Sequence, residues 1–379
     1  MILVVIYSHP ELYPPTLNAI EELSKNNDRV ILLYNNVAES AWDYPENVEI
    51  VNSSKYIYWR SLMQASLLIK IKYFFLFTLK LYSIIKKEKP EKILIYDPMA
   101  LLSYSMLKMV KKIKKSVWYH SHDMIQLELT NRFSLTRWAY YNEKKSFKWI
   151  NYFTLPTEQR KKYFDLTSFK GKYAVLPNFP SLSIYKKFYK GKKVPLKEIR
   201  IIFQGFIDNG HGIDEILKLL NTKIFNIEMK LVLKGYIGDD YKNHIILLAE
   251  EYKINLDKIL FVDKGPYKTV PELASTCTIG IGINTKTDPT NSTLGTSSNK
   301  IYEYAALGLP VLLFDAPQFK EYLQKYNWAI FTNLTSMDLI NKISYIVENY
   351  DEFSKSAYNS FVEELNFEKA FIPFVTEFA

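Results

Sequence analysis

Cysteine is almost absent from this chain: among 379 residues, only Cys277 carries a thiol. That excludes a disulfide framework and any multi-cysteine zinc or iron–sulfur centre. Within Ala-Ser-Thr-Cys-Thr-Ile-Gly-Ile, Cys277 reads as a small buried hydrophobe at a strand start. Histidine is scarce as well, with five residues, and no Asp-x-Asp pair occurs, so no metal site is expected. Long apolar runs are also missing. The richest candidate, Leu62–Ile85, is interrupted by Lys70, Lys72 and Lys80, and each charge costs about 2.5–3.5 kcal/mol at a bilayer centre. A spanning helix is therefore not expected. The leading Met1–Tyr7 is apolar but only strand-length and has no positive lead, so no signal peptide is expected and the reading is cytoplasmic. No repeat or low-complexity tract stands out, and no nucleic-acid module accompanies the charge, which leaves nucleic acid out as a partner.

What is present is an ordinary globular composition, 48% hydrophobic and 23% charged, at a length suited to two or three domains. The net charge of +9 is unevenly spread. Residues 51–180 hold 24 basic and 8 acidic side chains, whereas residues 181–379 hold 23 and 24. One half is built for an anionic partner, and the other is balanced.

Short β-branched runs alternate with helix-like stretches, the pattern of parallel sheets with crossover helices. In the first half the strands are expected at 2–7, 29–34, 92–96, 116–120, 152–155 and 173–176. In the second they are expected at 200–203, 229–234, 259–261, 279–283, 311–314 and 329–331. Between the halves, Leu176-Pro-Asn-Phe-Pro-Ser-Leu182 and the basic stretch to Lys197 form a hinge signature. The expected organisation is an α/β chain of two Rossmann-like domains facing across a cleft that holds the active site. An N-terminal Rossmann-like domain covers 1–178, a linker 179–198 and a C-terminal Rossmann-like domain 199–360. A C-terminal helix in 361–379 is expected to pack back on the first domain.

Two segments carry the chemistry. In Arg200-Ile-Ile-Phe-Gln-Gly-Phe-Ile-Asp-Asn-Gly-His-Gly212, three glycines follow a strand and open a helix, a turn whose N–H groups can approach a phosphate. The spacing departs from the dinucleotide fingerprint and argues against NAD. In Asn291-Ser-Thr-Leu-Gly-Thr-Ser-Ser-Asn-Lys-Ile-Tyr-Glu-Tyr-Ala-Ala-Leu-Gly-Leu-Pro-Val311, a hydroxyl-rich loop enters a helix near Asn299. Ser297 and Ser298 are candidate N-caps, Lys300 adds a cation, and Glu303 lies one turn on, placed to accept from a sugar diol. As bland alternatives, Ser-Ser is a simple cap and Glu303 a dipole partner. Asp239-Asp240 reads as a loop or helix start rather than a ligand pair.

The stretch Ser-Ser-Asn-Lys-Ile-Tyr-Glu-Tyr-Ala-Ala-Leu-Gly-Leu-Pro-Val resembles the signature of retaining glycosyltransferases of family 4, which have the two-domain GT-B fold. Gln204–Gly212 resembles that family's glycine loop, Leu231-Val-Leu-Lys-Gly-Tyr236 its next strand and glycine (Gly235), and Phe261–Tyr267 its base-binding segment. The resemblance implies a metal-independent hexosyltransferase that takes a nucleotide diphosphate sugar as co-substrate, needs no cofactor, and acts in surface polysaccharide biosynthesis on a glycan or lipid-linked acceptor. Gly205, Phe206, His211 and Gly212 would line the donor. Ser298, Asn299 and Lys300 would hold its diphosphate, Glu303 its ribose, and Val262 and Asp263 its base. Trp118-Tyr-His-Ser-His-Asp123 resembles the strand-end histidine motif, so His122 would face the donor sugar with Asp123 beside it, and these two with Glu303 are the catalytic candidates. Glu143, on the helix at 137–149, is expected on a solvated face. The departures are Phe206 and His211, where the family carries cations, and Gly295, where it carries a second glutamate. They leave open a non-catalytic GT-B subunit that binds glycan or a partner enzyme; a GT-B sugar-nucleotide epimerase is the third reading.

The basic half alternates aromatic and aliphatic residues with lysines over 55–92, and a second cluster, Lys108, Lys111, Lys112, Lys114 and Lys115, follows. The pattern over 55–115 suits peripheral binding to an anionic membrane surface. Buried crossover helices with solvated lysine faces are the alternative.

Overall fold

The computed structural model describes residues 1–38, 41–111, 113–189, 191 and 196–378. Lys112 of the second lysine cluster, and Lys190 and residues 192–195 of the expected linker, lie outside the described residues. The chain divides into two compact units, Met1–Pro177 with Phe371–Ala379 and Asn178–Ala370.

The first unit is built on seven parallel strands: β1 (Ile2–Ile6), β2 (Val30–Tyr34), β3 (Val48–Asn52), β4 (Lys92–Tyr96), β5 (Ser116–His120), β6 (Tyr152–Leu155) and β7 (Lys172–Val175). Their order is β3-β2-β1-β4-β5-β6-β7. β1 and β2 are buried at every position, as strands covered on both faces must be. β3 is the strand that sequence reading misses. It is an edge strand with Glu49, Ile50 and Asn52 exposed, so it has neither the apolar run nor the alternation that marks a strand. The helix Pro14–Lys25 starts with proline at its first position and buries Leu17, Ile20 and Leu23 at helical spacing. The stretch 60–87, which reads as helical with a possible break, is two helices, Trp59–Gln64 and Leu67–Glu88, the second ending at Lys89 in the left-handed region. Phe371 and Phe374 stack on Trp118, at ring-centroid distances of 5.6 and 5.3 Å.

Six parallel strands make the second unit: β8 (Ile199–Ile207), β9 (Met229–Ile237), β10 (Ile259–Val262), β11 (Ile279–Ile281), β12 (Val311–Phe314) and β13 (Ala329–Thr332), ordered β10-β9-β8-β11-β12-β13. One hydrophobic core runs through it, from Phe179 to Leu365. Both sheets reverse their strand order once, between β1 and β4 and between β8 and β11. In open α/β sheets, ligands gather beyond the carboxyl ends of the strands at such switch points. Among the described residues, no helix is long and apolar enough to cross a membrane.

Candidate functional site

In the second unit the site is assembled from the ends of β8, β9 and β10 and the helix Asn299–Ala306. Sequence reading ends β8 at Phe203 and β9 at Lys234, but each runs three residues or more beyond, through a glycine. Gly205 and Gly235 are register partners with φ of 123° and 144°. A Cβ placed on Gly235 would fall 1.8 Å from the Gly205 carbonyl oxygen. Both strands thus bend together at one level, in a conformation that glycine alone adopts freely. The bend brings the Gly205 backbone against Lys300: a Cβ there would lie 3.7 Å from Nζ.

Lys300 lies on the first turn of Asn299–Ala306, with its Nζ 3.8 Å from the centre of the Phe203 ring. Among the described residues no group accepts a hydrogen bond from it. Burial pushes the amine down to about 7, against the pull of Glu303 and helped by Lys286. The serines behave differently from the expected caps. Ser298 stands at the N-cap without a side-chain capping bond. Ser297 Oγ is turned back to the Thr293 carbonyl at 3.0 Å. The first turn therefore keeps its N–H groups for another acceptor. Asn299 Oδ1 is buried there without a partner.

Glu303 is buried, and both of its oxygens are held. Oε2 accepts from Gln204 Nε2, and Oε1 accepts from the Tyr267 hydroxyl at 3.0 Å. Tyr267 in turn pairs with the Tyr185 hydroxyl at 3.2 Å. Burial raises the Glu303 carboxyl, while these donors and Lys300 oppose it. Gln204 and Tyr267 fix the orientation of Glu303, and sequence spacing alone did not assign them that role.

His211 keeps its imidazole neutral. Burial first, then Lys300, drives it down to about 3. Its Nδ1 faces the Ile283 carbonyl at 3.2 Å. A carbonyl only accepts, so Nδ1 carries the proton and Nε2 presents a lone pair. The neighbouring Gly212, with φ of 72°, caps the helix Ile213–Leu217. A Cβ on it would meet Ile283 Cδ1 at 2.7 Å. Phe206 is 60% exposed and packs on Tyr236, 5.4 Å between ring centres. Gly295 is buried, and its carbonyl accepts from Tyr302 at 2.9 Å. Val262 closes β10 in register with Lys234, and Asp263 is exposed in the loop that follows.

The first unit has a polar cluster of its own at the carboxyl ends of β4 and β5. His122 is sandwiched between Tyr13 and Tyr96, each 4.9 Å away between ring centres and within 10° of parallel. Its Nε2 pairs with Thr16 Oγ1 at 2.7 Å, and its backbone N–H donates to Asp97 Oδ1 at 3.0 Å. Arg160, also buried, donates to the His122 carbonyl and lies 3.5 Å from Asp123 Oδ1. Burial, then His120 and Arg160, hold His122 neutral. His120 is tied to Thr154 Oγ1 at 2.9 Å. Asp123 is exposed beside this cluster.

Asp97 escaped the sequence reading, although an Asp-Pro pair directly after an apolar strand was a visible signal. It joins β4 to the helix Asp97–Lys111 with no intervening residue, at φ of 66°. Burial, then Asp123, raise its carboxyl to about 8. A left-handed non-glycine residue with a displaced carboxyl at a strand end is the kind of strain that accumulates at functional sites. Glu143 corrects another expectation. It lies inside rather than on a solvated face and accepts from the Tyr119 hydroxyl; burial raises it to about 7. Its neighbours Lys144 and Lys145 made the helix read as a charged surface.

Residues 186–361, inside the second unit, match the family described as glycosyl transferases group 1. No curated protein sequence matches the chain. Several solved structures share its fold over nearly the whole length. A sucrose-phosphate synthase from Thermosynechococcus elongatus superposes with a TM-score of 0.70 at 11% identity, covering 99% of this chain and 97% of that one. HepE of Anabaena, in complex with UDP and glucose, gives 0.68 at 13%, covering 100% and 99%. WaaG, a glycosyltransferase involved in lipopolysaccharide biosynthesis, gives 0.67 at 11%, covering 100% of both chains. The architecture of two Rossmann-like units is the GT-B fold.

Proposed function

We propose that this chain, of GT-B fold and with residues 186–361 matching the family described as glycosyl transferases group 1, moves a hexose from a nucleotide diphosphate donor to a glycan or lipid-linked acceptor. The observation that carries the donor reading is Lys300: a desolvated amine without an acceptor among the described residues, on the first turn of a helix whose N-cap Ser298 makes no side-chain capping bond. A diphosphate supplies the missing charge. As the anomeric C–O bond breaks, its electron pair goes to the departing diphosphate, where Lys300 and the helix N–H groups stabilise it. The acceptor oxygen forms the new bond, and its proton passes to the departing diphosphate oxygen. These groups give the leaving anion its balance from protein cations and dipoles, which is the basis for proposing a metal-independent reaction. Glu303, its orientation fixed by Gln204 and Tyr267, has lone pairs left for the ribose hydroxyls. Solved GT-B neighbours carrying UDP, and one carrying UDP-glucose, support a nucleotide-sugar donor. Retention of configuration, and the roles of His122 and Asp123 toward the sugar, rest on the resemblance of the two signature segments.

The acceptor side is proposed from the helix Leu67–Glu88. Leu68, Phe75 and Leu79 are exposed along one face, with Lys72 and Lys86 on the same stripe. Apolar side chains flanked by lysines suit the boundary of an anionic leaflet, where a lipid-linked acceptor of surface polysaccharide synthesis resides at the cytoplasmic side. A glycan-binding subunit without activity is the second reading. The exposed Phe206–Tyr236 pair, standing where the family has a cation, favours it, since aromatic faces stack on sugars.

A thermal-shift panel of nucleotide diphosphates, followed by donor hydrolysis with the matching nucleotide sugar, tests the enzyme. Stabilisation with slow hydrolysis is expected. Binding without any turnover supports the second reading, and no response to any nucleotide sinks both donor roles. Anionic vesicles are expected to sediment the protein, with partial release near 0.5 M salt, where the Debye length is only about 4 Å.

A further inference from the structure

Gln204, Lys234 and Val262 stand side by side across β8, β9 and β10, one residue before the paired glycines in β8 and β9. Register partners on neighbouring parallel strands project to the same face. From that face Gln204 holds Glu303. Lys234 is 5% exposed, and its Nζ lies 3.9 Å from the place a Cβ would take on Gly265. Gly265 belongs to the loop whose Tyr267 holds the other oxygen of Glu303. The same short loop is therefore touched by Glu303 on one side and by the Lys234 amine on the other.

Among the described residues, Lys234 Nζ has neither a hydrogen-bond acceptor nor a carboxylate partner. Burying most of a lysine in a strand without a protein partner for its amine is costly, and an apolar side chain would fill the place at a lower cost. Its strand neighbours Leu231, Val232 and Leu233 show what the core itself selects. Partial burial lowers the amine.

We propose that Lys234 is a specificity-determining residue whose Nζ donates a hydrogen bond to a carbonyl oxygen on the edge of the donor's base. The inference rests on the donor reading of Lys300 and Glu303 given above. An ammonium has donors only. It therefore suits uracil or guanine, which present a carbonyl at the base edge. Adenine and cytosine place an amine there, which sets donor against donor and leaves both unsatisfied.

The test compares matched pairs by calorimetry: uridine against cytidine diphosphate, and inosine against adenosine diphosphate. Within each pair the ring is the same size and the edge carbonyl is exchanged for an amine. In whichever pair binds, the carbonyl member is expected to bind at least fivefold tighter to the wild-type chain. Lys234→Met is expected to weaken that member about tenfold and leave the amine member unchanged, which erases the preference. Equal binding within the pair, or a preference that survives Lys234→Met, overturns the assignment while leaving the donor site standing. Failure of all four nucleotides and guanosine diphosphate to bind the wild type overturns the donor reading, and this inference with it. If Lys234→Met does not fold by circular dichroism, the wild-type pairs decide alone.

Discussion

The polar cluster of the first unit and that of the second treat their charges in opposite ways. Around His122 most groups satisfy one another: two tyrosine rings enclose the imidazole, Thr16 pairs with its Nε2, Asp97 accepts from its N–H and Arg160 donates to its carbonyl, while His120 Nε2 stays unpaired among the described residues. Around Lys300 the groups are left over. Two lysine amines lack acceptors among the described residues, Asn299 Oδ1 and Gln204 Oε1 are orphaned, and the helix has no side-chain cap. A self-satisfied cluster contributes to stability, and an unsatisfied one is stabilised from outside by a ligand. The contrast predicts that substitutions in the two places will be read by different instruments.

The largest effect is expected at Lys300. Lys300→Met should weaken nucleotide diphosphate binding by about 100-fold, in line with a lost charge-assisted hydrogen bond. Its melting temperature should not fall, because a buried amine is removed. Loss of stability without loss of affinity would erase the contrast. His122→Ala should do the reverse. It should destabilise the first unit by about 2 kcal/mol, as a buried, stacked and hydrogen-bonded ring is lost, and should leave nucleotide affinity within a factor of two; urea midpoints and calorimetry read the two halves.

Acidity sharpens the same comparison. Lys300 is held down to about 7 in the free protein, and a bound diphosphate raises it. The complex then holds more protons than the free chain at higher pH, so affinity falls as pH climbs above 7. About a tenfold loss between pH 6.5 and 8.5 is expected, with proton uptake visible as buffer-dependent binding heats. Asp97 gives the smallest effect and the opposite readout. Its carboxyl is raised to about 8 in the fold, so the native state holds the extra proton, and stability drains away as pH rises from about 4 to about 8. Asn tolerates the left-handed conformation and keeps an oxygen for the His122 N–H. Asp97→Asn should therefore melt about 2–4 °C higher at pH 8 and no higher at pH 4. An equal gain at both pH values would detach the effect from the carboxyl's charge.

Much of this was legible in the residues. Twelve of the thirteen strands announce themselves by apolar β-branched runs, and the segment 297–311 marks the donor helix. What was hidden depends on partners far away in the chain. The burial of Glu143 is decided by Tyr119, on a strand 24 residues earlier. Ser297 does not cap the helix because Thr293 and Leu294 offer its hydroxyl nearer carbonyls. β8 and β9 seemed to stop at their glycines because a lone glycine reads as a strand end. Only the pairing of Gly205 with Gly235 shows that both continue. Lys234 was visible as a letter in an apolar strand, but that its amine has no partner among the described residues is a fact of three dimensions.

The doubled glycine bend also sets which routes of change are open to this protein's descendants. With 1.8 Å between a would-be Cβ on Gly235 and the facing carbonyl, side chains are barred from Gly235, so the local backbone there is a fixed template. Variation in what the site accepts has to enter through the residues that flank the crease, Gln204 and Lys234 before it and Phe206 and Tyr236 after it. Those four positions are the natural library for changing what the proposed donor site accepts.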